Sequence, residues 1–74
     1  MWIGRTFRLC EKLRAITSTG AIEYIAPSTV IVVASEKVMD VVTVLEQQRQ
    51  LIVFVDDLVK CGEEIKTSED SEET

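Results

Sequence analysis

Two adjacent carboxylates follow an apolar run in the second half of the chain. Residues 51–55 are all apolar, and Asp56 and Asp57 come directly after them. Nucleotide hydrolases and phosphotransfer domains place a magnesium ligand in this way, as a carboxylate at the carboxyl end of an apolar strand. That chemistry also needs a phosphate cradle, and the chain has no GxxxxGK[ST] pattern. The pattern therefore indicates a strand that ends in solvated aspartates, with a magnesium-dependent phosphotransfer fragment as an alternative.

Basic residues are concentrated near the start of the sequence. Residues 1–19 hold one acidic residue and four basic ones, namely Arg5, Arg8, Lys12 and Arg14. Clustered cations are what binding to a nucleic-acid backbone requires, and the rings of Trp2 and Phe7 lie close enough in sequence to add stacking. The four basic residues are therefore a candidate nucleic-acid-binding set. The alternatives are an ordinary solvated surface and pairing with the acidic C-terminal region, since the whole chain has a net charge of −5.

The chain lacks the side chains on which most catalytic sites depend. It has no histidine, which excludes Ser/His/Asp and Cys/His nucleophile systems and His-containing zinc sites within the chain. Cys10 and Cys61 form no CxxC pair and lack the dense spacing of a secreted disulfide scaffold. We interpret them as reduced thiols of a cytoplasmic protein; a bridge would require the first and last elements to pack together. We expect no enzymatic activity, no cofactor and no metal.

The middle of the chain has the pattern of a strand, a helix and a second strand. Residues 29–34 and 51–55 are apolar at nearly every position, which is typical of strands covered on both faces. Between them, apolar residues recur at three- and four-residue spacing, at Val38, Val41, Val42 and Leu45. Ser35 is a candidate N-cap for this segment. The spacing predicts an amphipathic helix over residues 35–48.

The N-terminal segment fits two templates. Over residues 7–16, Leu9, Leu13 and Ile16 share one face at helical spacing. At strand spacing the apolar residues also share a face, with Glu11 as the single violation. The segment is rich in Leu, Glu, Lys, Arg and Ala, which are favourable helix formers, so we favour a helix.

These elements together predict a small single α+β domain. Residues 21–26 supply a third strand, so a sheet of about three strands is packed by the central helix over 35–48 and by the N-terminal helix. The domain is expected to span residues 1–65. Residues 67–74 contain no apolar side chain, and residues 66–74 are therefore expected to be a disordered acidic tail.

A chain of 74 residues builds only a small core, burying roughly 60 to 65% of the surface of its unfolded state. Self-association would stabilise such a domain. We therefore expect a non-enzymatic protein-interaction or regulatory module that binds a protein partner or itself, as a homodimer formed through a sheet edge or the valine-rich helix. A nucleic-acid-binding regulator is the first alternative. We expect no membrane association, because charged residues interrupt every long apolar run.

Overall fold

A computed structural model describes residues 1–65, and it differs in class from the predicted fold. Among these residues there are seven β-strands, all paired antiparallel, and one short helix. The strands are β1 (Thr6–Leu9), β2 (Leu13–Ile16), β3 (Ile22–Ile25), β4 (Val30–Val33), β5 (Val41–Glu46), β6 (Arg49–Phe54) and β7 (Gly62–Ile65), and the helix is α1 (Val55–Cys61). The predicted α+β domain with a three-stranded sheet is therefore wrong. The predicted tail, residues 66–74, lies outside the described residues.

All seven strands belong to one sheet, in the order β3-β2-β6-β5-β4-β1-β7. The strands β2 and β1 follow each other in sequence, yet β6, β5 and β4 lie between them in the sheet. In a flat sheet four strand spacings would separate them by about 19 Å. The chain from Leu9 to Leu13 spans at most about 14 Å. The sheet must therefore curl, which brings the ends of β1 and β2 together.

The inward positions of the curled sheet form the core. Residues alternate between the two faces of a strand, and the inward apolar side chains of β1, β2, β4, β5 and β6 are buried. The buried residues are Phe7, Leu9, Leu13, Ala15, Ile25, Ile31, Val33, Val42, Val44, Leu51, Val53, Val55 and Leu58. Aliphatic residues dominate this set, because only Phe7 is aromatic.

The predicted helix over residues 35–48 is wrong, because residues 41–46 form a strand and none of the segment is helical. Val41–Glu46 form β5, which pairs with β6 through a tight turn where Gln47 has a φ of 53°. Valine packs well in strands and is a poor helix former, and strict alternation buries Val42 and Val44. Ser35 caps no helix; its hydroxyl accepts the Thr43 N–H at 2.9 Å.

The predicted N-terminal helix is also wrong, because residues 6–16 form β1 and β2. The strand template holds over both strands, and Glu11, its one violation, falls in the connection between them. Local helix propensity amounts to a few tenths of a kcal/mol per residue. Burying Leu9 and Leu13 stabilises by about 1.5–3 kcal/mol each, so tertiary packing decides the conformation.

The helix α1 closes one part of the interior. Val55 and Leu58 face the core, whereas Val59 lies outside it. The helix ends at Gly62, where a Cβ atom would lie 3.0 Å from the carbonyl oxygen of Leu58 and 3.2 Å from a methyl group of Leu9. Glycine therefore permits the close approach by which the chain passes directly from α1 into β7.

We predict that Leu58→Ala lowers the free energy of unfolding by about 2–5 kcal/mol, because the Leu58 side chain is fully buried and its removal leaves a cavity. The matched control is Val59→Ala, one residue along the same helix. Its side chain is 59% exposed, so we expect a change of about 0.5 kcal/mol or less. Urea denaturation of the two variants measures both values, and equal losses would contradict this placement of α1.

Candidate interaction surface

Arg5 closes one end of the core rather than lying on an open basic face. Its guanidinium binds the Glu64 carboxylate with two hydrogen bonds, of 3.0 Å from Nε and 2.7 Å from Nη2. It also lies over the Trp2 ring, 4.2 Å from the centroid, and Trp2 in turn stacks on Phe7. The hydrogen bonds to Glu64 raise the pKa of Arg5. This arginine is therefore occupied by contacts that hold the N-terminal segment, β1 and β7 together.

Arg49 has a comparable role at another edge of the core. Its guanidinium binds Glu46 at 2.7 Å and Glu23 at 2.9 Å, which joins the β5–β6 turn to β3. Both carboxylates raise the pKa of Arg49, with the hydrogen bond to Glu46 the larger cause.

The other three residues of the predicted nucleic-acid-binding set fall into two groups. Arg8 is exposed on β1, where its register neighbours are Val30 on β4 and Glu63 on β7. Lys12 and Arg14 lie together at β2, beside aromatic rings. The helix that would have aligned Arg5, Arg8 and Lys12 does not exist, so the structure brings together only Lys12 and Arg14.

Lys12 and Arg14 each approach an aromatic ring. The Lys12 Nζ lies 4.9 Å from the centroid of Tyr24, and the Arg14 guanidinium carbon lies 5.7 Å from that of Phe54. Arg14 also has an ion pair of 3.5 Å with Asp57. Cation–aromatic contacts of this kind stabilise by about 0.5–1 kcal/mol at exposed sites. The arrangement holds the two cations beside the rings on the outward face of the sheet.

Apolar side chains cover the same outward face of β2, β3 and β6. Ile16 is paired with Ile22 on one side and with Ile52 on the other, and Tyr24 is paired with Arg14. We call the set Ile16, Ile22, Tyr24, Ile52, Phe54 and Arg14 the β2–β3–β6 face. Ile22 is 62% exposed, Tyr24 58%, and Ile52 and Phe54 each 37%. Contiguous exposed apolar residues of this kind mark interaction sites.

Sequence patterns indicate only part of this face. The alternation in residues 21–26 places Ile22 and Tyr24 together on one side of a strand. Ile52 and Phe54 were not identified, because an unbroken apolar run is typical of a strand buried on both faces. In the structure only one face of β6 is buried. The unbroken apolar run indicates that both faces of the strand are apolar, so the second face is apolar and exposed.

The paired carboxylates lie in the first turn of α1. Asp57 is held by Arg14, and Asp56 is exposed. Within residues 1–65, no group of three or more His, Cys, Asp or Glu side chains is placed to hold a metal ion. The structure therefore adds no further ligand to the two aspartates.

The first and last elements pack together. This packing brings the backbone of Cys10 next to the backbone of Cys61. The Cys10 N–H donates to the carbonyl oxygen of Cys61 at 2.6 Å, and both thiols are free. Burial is the main cause that raises the pKa of the Cys61 thiol, followed by the charge of Glu11. Cys10 is exposed.

No family model, no curated protein and no solved structure matches this chain. None of the helices in the described part of the chain has the length and apolar character needed to cross a membrane. Function must therefore be argued from the placement of the side chains themselves.

We predict that Arg5→Ala lowers the free energy of unfolding by about 1 kcal/mol, a value reduced for the partial exposure of the ion pair with Glu64. Arg8→Ala is the matched control and should leave stability within about 0.5 kcal/mol of wild type. Thermal or urea unfolding measures both. A loss of stability in Arg8→Ala but not in Arg5→Ala would contradict the assignment of Arg5 as the stabilising residue.

We also predict that iodoacetamide at pH 8 alkylates Cys10 at least about five-fold faster than Cys61. The raised pKa of Cys61 leaves less of the reactive thiolate at this pH, and partial burial restricts access to it. Peptide mass spectrometry of samples quenched over time gives both rates. In urea the two rates should converge, and faster labelling of Cys61 in the folded protein would contradict the packing at β7.

Proposed function

We propose that this chain is a small non-enzymatic protein-interaction or regulatory module, and that the β2–β3–β6 face is its binding surface. The observation that carries the proposal is the line of paired isoleucines, Ile22, Ile16 and Ile52, on the outward side of three neighbouring strands. The inward side of the same strands already fills the core. These outward side chains therefore have no packing role within residues 1–65 comparable with that of the core.

The energetics of the face support a protein partner. Fully burying an exposed isoleucine stabilises by about 1.5–3 kcal/mol. Tyr24 and Arg14 are of the types enriched among residues that dominate binding energy, and they are register neighbours on β3 and β2. A partner that covers this face would gain from apolar burial at the centre and from polar contacts at Lys12.

The charge of the chain supports the same choice. Thirteen acidic residues stand against eight basic ones, which opposes association with a polyanion over a broad surface. Arg5 and Arg49 are both held by glutamates. We also propose a cytoplasmic location, with the two free cysteines as the supporting observation.

Nucleic-acid binding is the second candidate, favoured by one feature of the same face. Arg14 has Tyr24 as its register neighbour on β3, and its guanidinium carbon lies 5.7 Å from the centroid of the Phe54 ring. Single-stranded nucleic acids are bound by aromatic rings that stack on bases beside cations that contact phosphates. The magnesium-dependent alternative has no comparable observation in its favour, because Asp57 is paired with Arg14.

The deciding experiment is affinity capture from a lysate of the native host with wild type and two lysine variants, with and without nuclease. Ile52→Lys places a charge at the β6 end of the isoleucine row, and Val59→Lys makes the same change on the exposed side of α1. We expect Ile52→Lys to reduce protein capture at least about ten-fold, because a desolvated charge opposes binding, and Val59→Lys to leave it unchanged.

Circular dichroism must show that both variants are folded before capture is compared. Proteins retained equally by wild type and Ile52→Lys would overturn the proposal. Material that is nucleic acid, and that nuclease removes together with any protein, would replace it with the second candidate.

A further inference from the structure

The edge of β3 has unpaired backbone groups whose positions follow from the hairpin with β2. The Thr17 N–H donates to the Ala21 carbonyl at 2.8 Å, so the backbone of residue 21 is directed toward β2. Alternation along an antiparallel ladder then directs Glu23 and Ile25 toward β2 as well. The N–H and C=O groups of Ile22 and Tyr24 are directed outward, where β3 has no strand neighbour among residues 1–65.

The edge of β3 has two features that limit strand association, its length of four residues and the inward-facing Glu23, but it has no lysine or proline. Natural edge strands carry lysine, proline or a bulge, or are covered by another element. Residues Ile22–Ile25 include no lysine or proline, and the two outward side chains are the exposed Ile22 and Tyr24. At the other end of the sheet, β7 carries Glu63 and Glu64. The outward row of β3 is therefore apolar, whereas β7 carries one glutamate that is bound by Arg5 and one that lies opposite Arg8.

We propose that a second copy of this chain pairs with this one, β3 against β3, in a symmetric antiparallel dimer. The inference rests on the proposed function, because it names the partner of the β2–β3–β6 face. With the two-fold axis at Glu23, Ile22 of each copy lies opposite Tyr24 of the other. Each such pair exchanges both backbone hydrogen bonds and places an aromatic ring against a β-branched side chain.

Charge and symmetry favour a second copy over an unrelated strand. The pairing sets Glu23 against its own symmetry mate, and each Glu23 carboxylate is bound at 2.9 Å by Arg49 of its own chain. Each copy therefore brings a Glu23 carboxylate that is already paired with a cation, the same Arg49 that also binds Glu46. The outward apolar row of Ile22, Ile16 and Ile52 continues across the axis into the same row of the second copy. A two-fold contact also occupies both β3 edges, so the assembly closes at two chains.

Amide hydrogen exchange followed by NMR tests the pairing in the unmodified protein. We expect the amides of Ile22 and Tyr24 to become more protected as the concentration rises from about 10 µM to about 1 mM, the range in which interfaces of small area associate. The amides of Glu23 and Ile25 bond to β2 in either state, so their protection should not depend on concentration. Unchanged exchange at Ile22 and Tyr24, or concentration-dependent protection elsewhere alone, would overturn the proposal.

Sedimentation equilibrium of two variants gives an independent test. Ile22→Pro removes the outward N–H together with the isoleucine side chain, whereas Ile22→Val retains the N–H with nearly the same side chain. We expect Ile22→Pro to weaken dimerisation at least about ten-fold, because each two-fold contact loses two hydrogen bonds, and Ile22→Val to weaken it much less. Circular dichroism checks the folding of both; if Ile22→Pro is unfolded, the exchange experiment on wild type decides.

The outcomes separate this inference from the proposed function. A wild-type protein that stays monomeric to about 1 mM, while its capture of another protein still depends on Ile52, would overturn the β3 pairing alone. Capture that does not depend on Ile52, together with a β3 dimer, would overturn the proposed role of the face in binding other proteins and leave the pairing in place.

Discussion

The three-residue connection between β1 and β2 is the constraint on which the rest of this structure depends. It joins two strands that three others separate in the sheet, and it is too short to span a flat sheet of that width. The sheet must curl, and curling creates one interior that small aliphatic side chains fill. Leu9 and Leu13, at the two ends of the connection, are both buried in that interior. The helix α1 and the two arginine–glutamate clusters then close it.

A curled sheet of this size has one interior, and its own inward side chains occupy that interior. The apolar residues on the outward side of the sheet therefore lie outside this interior. A domain of 74 residues builds only a small core, and the partly exposed isoleucines stabilise it less than the buried residues do. They do raise the gain from association, since covering them removes apolar area from water. The proposed contact of the β2–β3–β6 face with another molecule would supply this gain.

Local sequence patterns predict three of the strands correctly and both helices wrongly. Residues 21–26, 29–34 and 51–55 contain β3, β4 and most of β6, because β-branched residues and bounding turns mark them. The valines of β5 also fit helical spacing by coincidence, and the helix was wrong. The single-sided burial of β6, and with it half of the candidate face, depends on strand order, which no local pattern encodes.

The arginines near the N-terminus have the same side chain but different structural roles. Four basic residues near the N-terminus suggest one electrostatic surface, yet Arg5 stabilises the closed end of the core and Arg14 lies among exposed rings. Which role each takes is set by the alternation of strand faces and by where the sheet ends. The same alternation leaves glutamates on β7 and apolar side chains on the outward side of β3. The outward N–H and C=O groups of Ile22 and Tyr24 therefore lie beside exposed apolar side chains, where the proposed second β3 strand would gain both hydrogen bonds and apolar contact.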